Sequence, residues 1–71
     1  MTLEEAARLL REMYDDPRTG KAVSVHLFGI RYAEALQDMS LQDIAVRAGI
    51  SKSYGTEIAK GRTLARYVVE R

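Results

Sequence analysis

The sequence predicts an all-α chain, a small bundle of about five helices. Three observations carry that expectation. Apolar side chains recur at three- and four-residue spacing in several segments. Two segments open on a hydroxyl residue followed three places later by an acid, the signature of a helix start. Glycines and the single proline fall between the periodic stretches.

Taking the elements in order, Thr2 and Glu5 form a predicted capping box, and Leu3, Ala6, Ala7, Leu10, Met13 and Tyr14 then share a face. The first helix is expected over residues 3–14. Residues 15–20 read as a loop, because Asp16 precedes Pro17 and Gly20 favours a turn. Residues 22–27 are rich enough in β-branched side chains for a short strand. The run through Leu27, Ile30, Ala33 and Leu36, with Phe28 and Tyr32 as a second pair, fits a helix better. A helix over 22–37 is expected, with Gly29 inside it at some cost.

Ser40 and Asp43 make a second capping box. Leu41, Ile44, Ala45 and Ala48 fall on one side of the helix they begin, and Gln42, Asp43 and Arg47 on the other. Gly49 stands where a helix-ending glycine belongs, and Ser51 can cap a following helix over 51–60, closed by Gly61. A last helix is expected over 63–69.

The chain has 71 residues, enough for one domain with a limited core, and no cysteine to staple it. No apolar run approaches the roughly 20 residues that span a bilayer, and the acidic, amphipathic start is unlike a signal peptide. A cytoplasmic protein with no membrane partner is expected. No nucleophile–base pair, phosphate-cradling glycine loop or metal-ligand spacing is present, so no enzymatic activity, small-molecule substrate, cofactor or metal is expected. His26, the only histidine, reads as a surface or packed side chain. The net charge of +1 is unevenly spread: residues 1–40 carry five basic and seven acidic side chains, and residues 41–71 six basic and three acidic. A basic C-terminal half suits a surface that meets phosphates.

Residues 40–62, SLQDIAVRAGISKSYGTEIAKGR, resemble the helix-turn-helix of the Cro and lambda-repressor type. Ala45, Gly49, Ile50, Ser51, Ser53, Tyr54, Ile58, Gly61 and Arg62 match that pattern in register. In the family pattern a small residue such as Ala45 lets the two helices approach, Gly49 makes the turn, and Ile50 and Ile58 fill the gap between them. There are departures. Leu41 stands where the family often has a phosphate-holding glutamine, Val46 is apolar on an outward face, and Gly55 replaces an apolar residue. The last is expected to remove a core contact and weaken the helix by roughly 1 kcal/mol. Fewer residues follow the motif than the family usually has.

The resemblance implies a single lambda-repressor-like domain over 1–71, with an N-terminal helix and loop in 1–20 and the helix-turn-helix in 40–61. It further implies sequence-specific binding of double-stranded DNA by a repressor-like transcriptional regulator. The start of the second helix would enter the major groove, with Lys52, Ser53 and Thr56 at base edges. Lys60, Arg62 and Arg66 suit the DNA backbone. Glu57, at the edge of that face, could accept from cytosine N4 but better suits a helix salt bridge or plain solvent exposure, and Tyr54 suits a core or rim position. Val23, Val25, Leu27, Phe28, Ile30, Tyr32, Leu36 and Met39 exceed what one helix of a small core buries. The surplus, with Tyr67, Val68 and Val69, suits a homodimer. The alternative, kept open by the Gly55 and Leu41 departures and the modest net charge, is a degenerate helix-turn-helix serving as a protein-interaction module or antitoxin-like adaptor.

Overall fold

A computed structural model, describing residues 1–68, contains four helices: α1 (Leu3–Tyr14), α2 (Lys21–Arg31), α3 (Leu41–Arg47) and α4 (Tyr54–Leu64). There is no strand among the described residues, and the β-branched stretch 22–27 is helical. Among the described residues there is no separate fifth helix. The first residues of the one expected over 63–69 continue α4, residues 65–67 are a turn, and residue 69 lies outside the described residues.

α1 starts where the capping pair places it. The Glu5 N–H donates to Thr2 Oγ1 at 3.1 Å, and the Thr2 N–H donates to Glu5 Oε1 at 2.9 Å. That accepting role holds the Glu5 carboxyl below its ordinary range, the Thr2 backbone bond being the main cause. Only half of the second box forms: Ser40 Oγ accepts from the Asp43 N–H at 3.3 Å. A cap of this kind stabilises a helix by about 1 kcal/mol.

α2 stops at Arg31, six residues short of the expected end. A straight helix through residue 37 would extend about 24 Å and carry Leu36 past the core. Instead residues 32–39 turn back, with the Leu36 N–H bonded to the Tyr32 carbonyl at 3.0 Å, and Leu36 becomes fully buried. Burying such a side chain contributes roughly 1.5–3 kcal/mol, enough to outweigh a few more helical hydrogen bonds. The Phe28 and Tyr32 rings meet at 5.4 Å beside the bend.

The core gathers Ala6, Leu10, Val25, Phe28, Leu36, Ile44 and Ile58, all fully buried. α1 packs on α2 and α3. α4 packs on the same two helices but not along α1. Side chains bridge the remaining gap: the Tyr14 ring meets Tyr54 edge-on at 5.6 Å, and Lys21 Nζ lies 4.2 Å from the centre of the Tyr14 ring. A hydrogen bond with the Tyr14 phenol, and then the electrostatic interaction with that same group, raise the Tyr54 phenol above its ordinary range.

The α2–α4 crossing explains Gly61. It was expected to close the helix over 51–60, yet it is buried inside α4, against Gly29 of α2. A Cβ on Gly61 would stand 3.1 Å from the Gly29 Cα and would collide with the His26 carbonyl oxygen. The two glycines let the helix backbones touch.

Candidate nucleic-acid interface

α3, a tight turn and α4 form a helix-turn-helix. After Ala48 the chain enters Gly49 with φ +83°, a conformation that glycine adopts without steric cost. The Ile50 N–H donates to the Ala45 carbonyl at 3.1 Å and the Gly49 N–H to the Val46 carbonyl at 3.0 Å, the paired bonds of a Schellman turn. Ala45 and Ile58 are fully buried at the helix contact, and Ile50 packs on the core edge. α1 secures the turn from outside: Arg11 Nη1 donates to the Ala48 carbonyl at 3.3 Å, and Arg47 Nη1 meets Glu4 Oε1 at 2.9 Å.

The second helix begins at Tyr54, three residues later than its expected start, and runs on to Leu64. Ser51 therefore does not cap α4. Its Oγ accepts from the Ser53 N–H at 3.2 Å and lies 2.9 Å from Ser53 Oγ. The Tyr54 and Gly55 N–H groups bond three residues back, to the Ser51 and Lys52 carbonyls. This tight turn presents Lys52 and Ser53 just ahead of α4, exposed.

Gly55 is also a correction. It is buried, and a Cβ there would stand 3.1 Å from both the backbone nitrogen and Cγ of Gln42. The absent side chain makes room for the first turn of α3, so no core contact is missing. Leu41, at the family's glutamine position, is buried.

The residues expected at DNA divide into two groups. Thr56 and Lys60 are exposed on one face of α4, which also carries the exposed Thr63. At about 100° per residue these three fall within roughly 60° of arc, continuing from Lys52 and Ser53 at the helix entry. Arg62 and Arg66 lie off this stripe, lining a cleft of about 530 Å³ with Arg31, Tyr32 and Glu34. Arg62 Nη1 donates to the Leu36 carbonyl at 3.2 Å, so this arginine also ties down the bend after α2.

Lys60 Nζ lies 3.3 Å from Glu57 Oε2, and Glu57 Oε1 lies 2.7 Å from His26 Nε2 of α2. The hydrogen bond from His26, and then that from Lys60, hold the Glu57 carboxyl below its ordinary range. Sequence reasoning anticipated the Glu57 salt bridge but not its second partner, since residues 31 places apart give no periodic signal. It also passed over Thr63 and Gln42. Thr63 was legible as the next polar residue on the Thr56 and Lys60 face. Gln42, placed from the sequence only on the outward side of its helix, lines one groove with Thr56, Ser40 and Arg62.

A family model described as an HTH-like domain matches residues 2–71. The chain belongs to this HTH-like domain family. No protein of curated function and no solved structure matches it. The family match is to the helix-turn-helix class and does not distinguish a Cro or lambda-repressor branch. The helix-turn-helix and the all-helical fold are those of a DNA-binding class of domain at a coarse level. No described helix is long and apolar enough to cross a membrane.

Proposed function

We propose that this HTH-like domain binds double-stranded DNA sequence-specifically, as a repressor-like transcriptional regulator of the Cro and lambda-repressor type. The observation that carries the proposal is the exposed stripe of Lys52, Ser53, Thr56 and Lys60 running from the turn along α4. A major-groove reader needs donors at the start of its second helix, and this stripe supplies an ammonium and two hydroxyls there. Lys52, Ser53 and Thr56 meet base edges, and Lys60 meets the backbone. Arg62 and Arg66 hold a backbone phosphate from the flanking cleft.

The proposal includes a homodimer, since two-fold pairing reads a palindromic site twice, with half-sites about 34 Å apart. The apolar surplus supports it. Val25, Phe28 and Leu36 are consumed by the core, while Val23, Leu64, Tyr67 and Val68 stay exposed.

Site selection from random duplexes, followed by affinity measurements on variants, tests the reading. Lys52→Ala is expected to cost about 1–3 kcal/mol at the preferred site and to relax base choice there. Lys60→Ala is expected to weaken all sequences alike and to lower the slope of log affinity against log salt by about one. Equal loss on every sequence for Lys52→Ala would remove it from the base-reading set. Circular dichroism of both variants separates loss of contact from loss of fold.

A further inference from the structure

We propose that His26 is a positioning residue of the DNA interface, acting through Glu57 on Lys60 so that duplex affinity rises as pH falls. The inference rests on the duplex-binding reading above. Its basis is the three-residue chain across the α2–α4 seam: Nε2 of His26 to Oε1 of Glu57 at 2.7 Å, and Oε2 of Glu57 to Nζ of Lys60 at 3.3 Å. One carboxylate thus serves two partners, an imidazole and an ammonium, and the ammonium is the one expected at the backbone.

With His26 neutral, the group carries one negative and one positive charge, and Glu57 holds Lys60 back from a phosphate. Nε2 donates to the carboxylate in this state, so the added proton goes to Nδ1 and the Glu57 bond survives. The imidazolium then offsets the Glu57 charge from the α2 side, and Lys60 is left with its charge available to the DNA. The cluster gains one unit of positive charge beside the stripe. A phosphate nearby favours the protonated form, and by reciprocity protonation favours the phosphate. Histidine is the side chain whose ordinary titration falls between about pH 5 and 8.

Facing His26, α4 presents Glu57 and, one turn on, Lys60, with the Tyr54 phenol close enough to Glu57 for the two to interact. On α2 itself Lys21 and Arg31 stand five residues away in either direction, about 140° around the helix. α1 packs on α2 as well and brings Tyr14 against Lys21. His26 is the only histidine in the chain.

The test is duplex affinity of the full chain across that pH range at fixed ionic strength, for wild type, His26→Gln and Glu57→Gln, with circular dichroism at each pH. His26→Gln keeps an amide donor for Glu57 and cannot titrate. Wild type is expected to tighten as pH falls, by at most about tenfold per pH unit for one proton. His26→Gln is expected to give a flat profile that meets wild type at the high-pH end. Glu57→Gln is expected to bind more tightly than wild type at that end, because the competing carboxylate is gone. A wild-type profile parallel to that of His26→Gln overturns the inference and leaves the duplex reading standing. Absence of duplex binding at every pH overturns the duplex reading itself.

Discussion

Gly29 and Gly61 face each other across the α2–α4 crossing, each leaving room for the other's backbone. A Cβ on Gly29 would stand 2.8 Å from the Arg62 nitrogen and 3.0 Å from the Gly61 Cα, and would collide with the Ile58 carbonyl oxygen. An alanine inside a helix normally gains roughly 0.5–1 kcal/mol over glycine. Here the obstacle is backbone, which cannot rotate aside. Gly29→Ala and Gly61→Ala are each expected to destabilise by about 3 kcal/mol, the upper end of ordinary overpacking. Urea unfolding followed by circular dichroism measures this. A gain at either site would show that the helices cross with room to spare.

The helix-turn-helix turn predicts a contrast between two other glycines. Gly49 has φ +83°, where an added side chain is strained, whereas Gly20 has φ −63° and nothing within 4 Å of an added Cβ. Gly49→Ala is expected to cost roughly 1–2 kcal/mol, with Gly49→Asn milder. Gly20→Ala is expected to be nearly neutral. Thermal unfolding of the three variants checks the order.

Asp16 makes the prediction most directly tied to pH. Its carboxylate accepts from the Arg18 side chain at 2.9 and 3.1 Å and from the Arg18 N–H at 2.9 Å, and its pKa is lowered to about 2, the side-chain bond being the larger cause. A carboxyl depressed in the folded state stabilises the fold above its unfolded pKa, and that contribution is lost as pH falls from about 4 toward about 2. The pair is exposed, so the effect on stability is small. Carbon-detected titration of the Asp16 carboxyl is expected to show a midpoint near 2, and Arg18→Ala is expected to raise it part of the way to the ordinary range, since the N–H of residue 18 still donates. An unchanged midpoint in that variant would place the cause elsewhere.

The exposed apolar side chains predict self-association. Tyr67 is 77% exposed and Val23 52%, with Leu64 and Val68 also open to solvent. Sedimentation equilibrium at high micromolar concentration is expected to show a dimer, and Leu64→Lys with Tyr67→Lys is expected to shift it toward monomer. A wild-type monomer throughout that range would remove the two-fold reading of DNA.

What was legible in the sequence follows from where the determining forces are local. Thr2, Ser40 and Gly49 act within a few residues, so α1, the start of α3 and the turn were placed to within a residue of their observed limits. The end of α2 depended on Leu36 reaching a core made by distant residues, and no proline or glycine marked the bend. Gly61 looked like a helix end because glycine usually is one. Its partner, Gly29, lies 32 residues earlier, and the pair has meaning only once α2 and α4 cross. The exposed face of Thr56 and Lys60 was readable because a helix face repeats, whereas the later start of α4, which leaves Lys52 and Ser53 in the preceding turn, was not. The link from His26 to Glu57 was not, because it joins two helices.

Duplex affinity as a function of salt tests the central claim most directly. Wild-type protein with a duplex of random sequence, titrated between about 50 and 200 mM salt, is expected to lose affinity linearly in log–log form, with a slope of about −0.9 for each phosphate neutralised. The stripe and its flanking arginines predict several such contacts. No salt-sensitive affinity for any duplex at about 50 mM salt, near the low end where phosphate contacts count most, would contradict the claim. The basic face would then be a solvated surface, and the protein-interaction alternative would take its place.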